Sequence, residues 1–242
     1  MNSFLIKEQY KVTQVLCTSQ NYAAFQAVDI TDREKHTVLL NAYEGELLKE
    51  YLHYYDKLKY CGDYKGMFIS GETLITVFDF KHGTPIDKVF FKGAEVTAQD
   101  RLAFAQELFH LALSAADFPY EIGCCSFLSE NLILNTADKT LAVNYLVRPL
   151  GELNERELIF LLTDQIKKVF LRRFTAARSE TAFLERLEYG EFTSVVELYS
   201  SWLKAKEVIE EEYKMISEKT ALARFIYLLM SIVKRRLKRK KG

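Results

Sequence analysis

The apolar periodicity changes once along this chain, and the change decides which layers can form. From Tyr10 to about Phe80 the pattern is strand-like: YKVTQVLC alternates, AAFQAVDI follows a polar turn, HTVLLNAY is a third apolar run, and GMFISGETLITVFDF reads as a hairpin turning at Gly71-Glu72. Successive side chains of a strand point to opposite faces, so five short antiparallel strands are expected. One stretch inside this region has the other period. EGELLKEYLHYYDKLKY places Leu47, Leu48, Tyr51, Tyr55 and Leu58 at helical spacing with charges between them, which predicts one helix carried by the sheet.

After KHGTPID the period becomes helical. Thr97 with Asp100 marks a helix start, and RLAFAQELFHLALSAADF carries Leu102, Ala105, Leu108, Phe109 and Ala112 along one face. Two short strands, NLILN and TLAVNYLV, flank a TADK turn. From the cap-like NERE (Asn154, Glu157) the chain is expected to be helical to its end, Trp202 and the KAKEVIEEEYKMISEKTALARFIYLLMSIV segment included. The expected fold class is therefore α+β with two lobes. Residues 1–80 form a sheet lobe, 81–224 a helical lobe, and 225–242 an apolar-basic terminal segment.

Composition bears on what this frame can do. At 242 residues with 49% hydrophobic content the chain can bury a large core, and its 10 Gly and 3 Pro argue against long disordered linkers. Cys17, Cys61, Cys124 and Cys125 contain no C-x-x-C, and the four histidines are scattered, so neither a metal nor a cofactor is expected. The thiols read as small buried hydrophobes. MNSFLIKEQYKV has no signal-peptide pattern, and no apolar run is long enough to span a bilayer, which implies a cytoplasmic protein. Formal charge is zero, yet Lys234, Arg235, Arg236, Lys238, Arg239, Lys240 and Lys241 put seven cations into eight residues, leaving the body acidic. These seven are candidates for contact with an anionic membrane surface; a docked helix with a solvated tail, and the cytoplasmic flank of a membrane span in a longer chain, are the other readings. A folded nucleic-acid groove is not expected in so acidic a body.

The stretch CCSFLSENLIL, Cys124 to Leu134, then carries a resemblance. It is similar to the catalytic loop H-R-D-L-x-x-x-N of the protein kinases and the apolar strand after it. Asn131 holds the place of the loop Asn, and thirteen residues on, where the family has the metal-binding D-F-G, stands Asn144-Tyr145-Leu146. The resemblance covers roughly residues 10–170. It implies that Ser126 holds the catalytic Asp position, that Asn144 holds the magnesium Asp position, and that Asn41 in VLLN replaces the third-strand Lys. CTSQNYAA, where the phosphate loop would fall, has no glycine; Lys35 and Lys49 are out of register. Phosphoryl transfer needs cations, magnesium and a carboxylate, and one neutral amide, Asn131, is all that is retained.

The resemblance thus implies a pseudokinase: not an enzyme, but a protein-binding or scaffold module. Its architecture looks like the cytosolic pseudokinase domain of type VII secretion proteins of the EssB/YukC kind, which implies a bacterial protein at the inner face of a membrane. Two other readings stand beside it. One is an atypical phosphotransferase using Glu130, Asp117 or Asp138; the other is a membrane-surface adaptor unrelated to kinases.

Overall fold

The computed structural model describes residues 4–239 except 59, 92, 136, 137, 139, 152, 154, 155, 172–175 and 191; for residues 231, 232 and 234–239 it describes the backbone alone. The two-residue period does produce strands: β2 (Tyr10–Ser19), β3 (Tyr22–Asp29), β4 (Thr37–Tyr43), β5 (Tyr64–Ser70) and β6 (Thr73–Asp79). A sixth strand corrects the expected five. It is β1 (Leu5–Ile6), two residues long and too short for any periodicity, held at the sheet edge by pairing with Tyr10 and Lys11. The order is β1-β2-β3-β4-β6-β5, antiparallel throughout.

Register shifts between Val12 and Gln14 and between Val15 and Cys17 bend β2, as bulges do. The sheet curls far enough for Tyr10 of β2 to stack on Phe68 of β5, ring centroids 6.0 Å apart. Alternation on β4 then serves two cores. Val38, Leu40 and Ala42 face the inside of the curl with Ile6, Ala27, Ile75 and Val77. Leu39 and Tyr43 face the other way and join the main core. On that side lies α1 (Glu46–Lys57), which buries Tyr51 and Tyr55; Tyr51 stacks on Tyr43 at 4.1 Å.

The second lobe opens with two elements the periodicity does not reveal, β7 (Thr84–Pro85) and α2 (Ile86–Val89). The core helix α3 (Ala98–Ala115) begins as expected, with the Thr97 hydroxyl accepting from the Asp100 N–H at 3.1 Å. The short α4 (Tyr120–Cys125) follows, so Cys124 and Cys125 close a helix and do not begin a loop. The hairpin of β8 (Leu132–Asn135) and β9 (Thr140–Val143) is joined by β7 into a three-stranded sheet, and β9 stops at Val143, short of the run to Val147. Then come α5 (Glu157–Val169), α6 (Arg178–Glu188), α7 (Val195–Ser217) and α8 (Ala221–Arg239). The proposed cap residue Asn154 lies outside the described residues; Arg156 precedes α5.

Trp202 of α7 is fully buried, stacked on Phe109 at 5.4 Å, with Phe170 and Phe183 around it and its indole N–H donated to Gln106 Oε1 at 2.9 Å. The boundary placed at 224/225 falls inside α8. Cys124 and Cys125 are buried free thiols, while Cys17 and Cys61 are half-buried. Burial pushes all four thiols above their ordinary range, as packing residues require. The whole is a two-lobed α+β fold: a curled antiparallel sheet with one helix, then a mainly helical lobe.

Candidate functional site

Between the lobes runs the segment 144–147, just after β9, and the residues singled out by spacing meet there. Asn41 sits on β4 in the row Leu39–Asn41–Tyr43, so the strand's period aims its amide at the helical lobe. Its Oδ1 accepts from the Tyr22 hydroxyl at 2.9 Å and from the Val147 N–H at 3.0 Å, and its Nδ2 donates to the Tyr145 carbonyl at 2.9 Å. One position on, the Tyr43 hydroxyl donates to the Val147 carbonyl at 2.7 Å. Two side chains of β4 therefore hold both backbone groups of Val147 in the manner of a strand partner. Burial pushes the Tyr22 and Tyr43 hydroxyls well above the usual tyrosine range, which keeps them protonated.

Asn144 makes the second attachment. Its Oδ1 accepts from the Lys81 N–H at 2.7 Å and its Nδ2 donates to the Lys81 carbonyl at 2.9 Å, so one side chain pairs with both peptide groups of the residue where the lobes join. Asn131 makes the third: Nδ2 donates to the Cys125 carbonyl at 2.7 Å and to the Leu146 carbonyl at 3.1 Å. The Asn144 N–H, in turn, donates to the Asn131 carbonyl at 2.8 Å. Ser126 differs. It is fully buried at the end of α4, its hydroxyl turned back to the Ile122 carbonyl at 3.3 Å. Tyr145, which sequence reading did not single out, stacks on Phe78 at 5.0 Å and lies against Ser126 and Cys61.

Asn41, Ser126, Asn131 and Asn144 are all buried, none more than 5% exposed. A magnesium–nucleotide complex, implied by the resemblance, does not fit these residues. A divalent ion wants several oxygen ligands with carboxylates among them. Of the four side chains only Asn131 Oδ1 lacks a hydrogen-bond partner, and it is sealed from solvent. Glu130 is turned to an ion pair with Arg148 at 3.0 Å. Asp138 is bonded into the β8–β9 turn through Thr140 and Asn135. Asp117 follows α3, so the three acids stand on separate turns. Lys49 is exposed on α1 and Lys35 lies in the β3–β4 connection. Nor does the β2–β3 hairpin offer a phosphate cradle: Ser19 pairs with Tyr22 across a two-residue turn.

A cavity of about 360 Å³ remains beside this clamp, lined by Leu16, Gln26, Lys81, His82, Ile133 and Leu146 among others. Gly83 lets the chain pass there, since a Cβ on it would meet Ile133 Cγ2 at 2.6 Å and the Leu134 carbonyl oxygen at 2.7 Å. The larger groove, about 770 Å³, lies elsewhere, along the β3–β4 connection and Lys65, Asp79 and Lys81. Two of its cations are paired, Lys65 with Asp79 at 2.9 Å and Lys81 with Asp63 at 2.6 Å. Of the seven terminal cations, Lys240 and Lys241 lie outside the described residues; Lys234, Arg235, Arg236, Lys238 and Arg239 are on the backbone of α8, their side chains outside the description. No helix among the described residues is long and apolar enough to cross a membrane.

No protein-family model and no curated protein matches the chain. Among solved structures it is similar to Rad53, a protein kinase, in the crystal structure of residues 1–466 in complex with AMP-PNP. The identity is 15%, over 67% of this chain and 47% of that one, with a TM-score of 0.46. The chain spans about half the length of that structure.

Proposed function

We propose that this kinase-like chain is a pseudokinase: it performs no phosphoryl transfer and serves as a protein-binding scaffold. One observation carries the reading. The side chains at the former catalytic positions are neutral and buried, and most of their polar atoms are engaged with the chain's own backbone. A kinase cleft needs charge for the triphosphate and magnesium and freedom for the lobes to close. Here three asparagines tie the segment 144–147 to β4, to Lys81 and to the end of α4, and the tie holds the lobes at one angle. A body of fixed shape suits recognition of a partner protein more than turnover. The order of sheet lobe, helical lobe and apolar-basic segment supports the finer reading, a cytosolic scaffold resembling the pseudokinase domain of type VII secretion proteins. The test is thermal denaturation with ATP, with and without magnesium. The melting temperature is expected to stay unchanged by ATP at millimolar concentration, and a magnesium-dependent rise would overturn the non-catalytic reading.

A further inference from the structure

The helix α8 is attached to the body along one side and presents exposed apolar side chains along the other. Arg224 fixes its start: Nε donates to the Ile216 carbonyl at 3.2 Å and Nη2 to the Ser217 carbonyl at 3.0 Å, at the end of α7. Tyr227 donates its hydroxyl to Glu212 Oε1 at 2.8 Å, and Leu228 is buried against Ala177 and Ile216. The opposite side carries Leu222, Ile226, Leu229, Met230 and Val233, between 43% and 71% exposed. At 100° per residue these five occupy an arc of about 100°, as wide as the stripe a surface helix normally buries. It continues into a run of seven cations in eight residues.

We propose that this face of α8 lies on an anionic lipid surface, with the apolar arc inserted at the headgroup boundary and the terminal cations drawn to acidic headgroups. The inference stands apart from the reading of the cleft. Charge selects the occupant: seven cations in eight residues, directly after an exposed apolar arc, match a surface that is anionic over a broad area and apolar beneath. A leaflet of acidic lipid offers both the negative surface and the apolar layer beneath it. Because α8 is pinned through Arg224, Tyr227 and Leu228, the body would be held against the surface in one orientation.

The experiment is co-sedimentation of the full chain with vesicles of phosphatidylcholine alone and of phosphatidylcholine mixed with phosphatidylserine. Binding is expected to the mixed vesicles only, and to weaken as salt shortens the screening length from about 10 Å at 0.1 M to about 3 Å at 1 M. Replacing Leu229 and Val233 by Ser should weaken it at least about tenfold, with the melting temperature unchanged because both side chains are already exposed. Leu228→Ser is the contrasting variant: it should lower the melting temperature. Three results would each overturn the proposal. The wild-type chain does not bind the mixed vesicles at low salt; or Leu229→Ser with Val233→Ser binds as wild type, the cations acting without the apolar face; or the chain is a lipid-free dimer that the same substitutions make monomeric while vesicle binding is absent.

Discussion

At the scale of the residue, the most closely matched pairing is made by Asn144, an amide at the place where the resemblance puts a metal carboxylate. Asn144 is matched to the Lys81 peptide as acceptor on one side and donor on the other. Asp at 144 keeps the acceptor but sets its second oxygen against the Lys81 carbonyl, at a position only 5% exposed. Asn144→Asp is therefore expected to lower stability by about 2 to 3 kcal/mol at neutral pH and to confer no nucleotide binding. The deficit should shrink in acid, where the protonated carboxyl can donate to Lys81. Urea denaturation at two pH values measures both, and equal stability at neutral pH would show that the pairing with Lys81 contributes little. The resemblance singled out the four residues. Their partners were not legible: Asn41 reaches the Tyr145 carbonyl across 104 residues and the Val147 N–H across 106, distances at which local pattern carries no information.

At the scale of the element, periodicity found the longer strands and helices and missed the short ones. β1, β7, α2 and α4 hold two to six residues each, less than two turns of helix or a strand pattern that repeats. The division of the long C-terminal segment into α7 and α8 had a weak signal, Thr220, whose hydroxyl accepts from the Ala223 N–H at 3.4 Å. What joins the two helices lay beyond pattern: Glu212 of α7 accepts from the N–H groups of Arg178 and Ser179 at the start of α6, from the Ser179 hydroxyl, and from Tyr227 of α8. Burial pulls the Glu212 carboxyl upward, but these donors together outweigh it and hold it below the usual value of 4.5. A depressed folded-state pKa contributes stability that is complete above the ordinary value and is lost as pH falls through the folded one. The α6–α7–α8 corner is therefore expected to loosen in acid below 4.5. In a melting-temperature series from neutral to acid pH, Glu212→Gln should be less stable at neutral pH and show a shallower acid slope. An acid slope identical to wild type would remove Glu212 from this role.

At the scale of the whole molecule, the two lobes share the main core, beside the smaller one inside the curl of the sheet. Tyr22, Leu39, Tyr43, Leu74 and Phe78 of the sheet lobe belong to one buried cluster with Leu108, Phe109, Leu132, Tyr145 and Trp202 of the helical lobe. Here the interface is aromatic and is crossed by hydrogen bonds from Asn41, Tyr43 and Asn144. Buried aromatic area shared by both lobes couples their unfolding, because neither can open without exposing the other's side of the cluster. The chain is thus expected to unfold in a single calorimetric transition, with the van't Hoff and calorimetric enthalpies equal over the sheet and helical lobes. The Val147 amide, donated to buried Asn41 Oδ1, should exchange its hydrogen only through that global opening. Removing the clamp tests the coupling directly. Asn41→Ala combined with Tyr43→Phe leaves the Val147 N–H and carbonyl without partners from β4, so exchange at Val147 should quicken to a local opening rate while the lobes still melt together on their shared aromatics. Two transitions in the wild-type protein would mean that the lobes fold as independent units and that the asparagine ties are incidental to the body's rigidity.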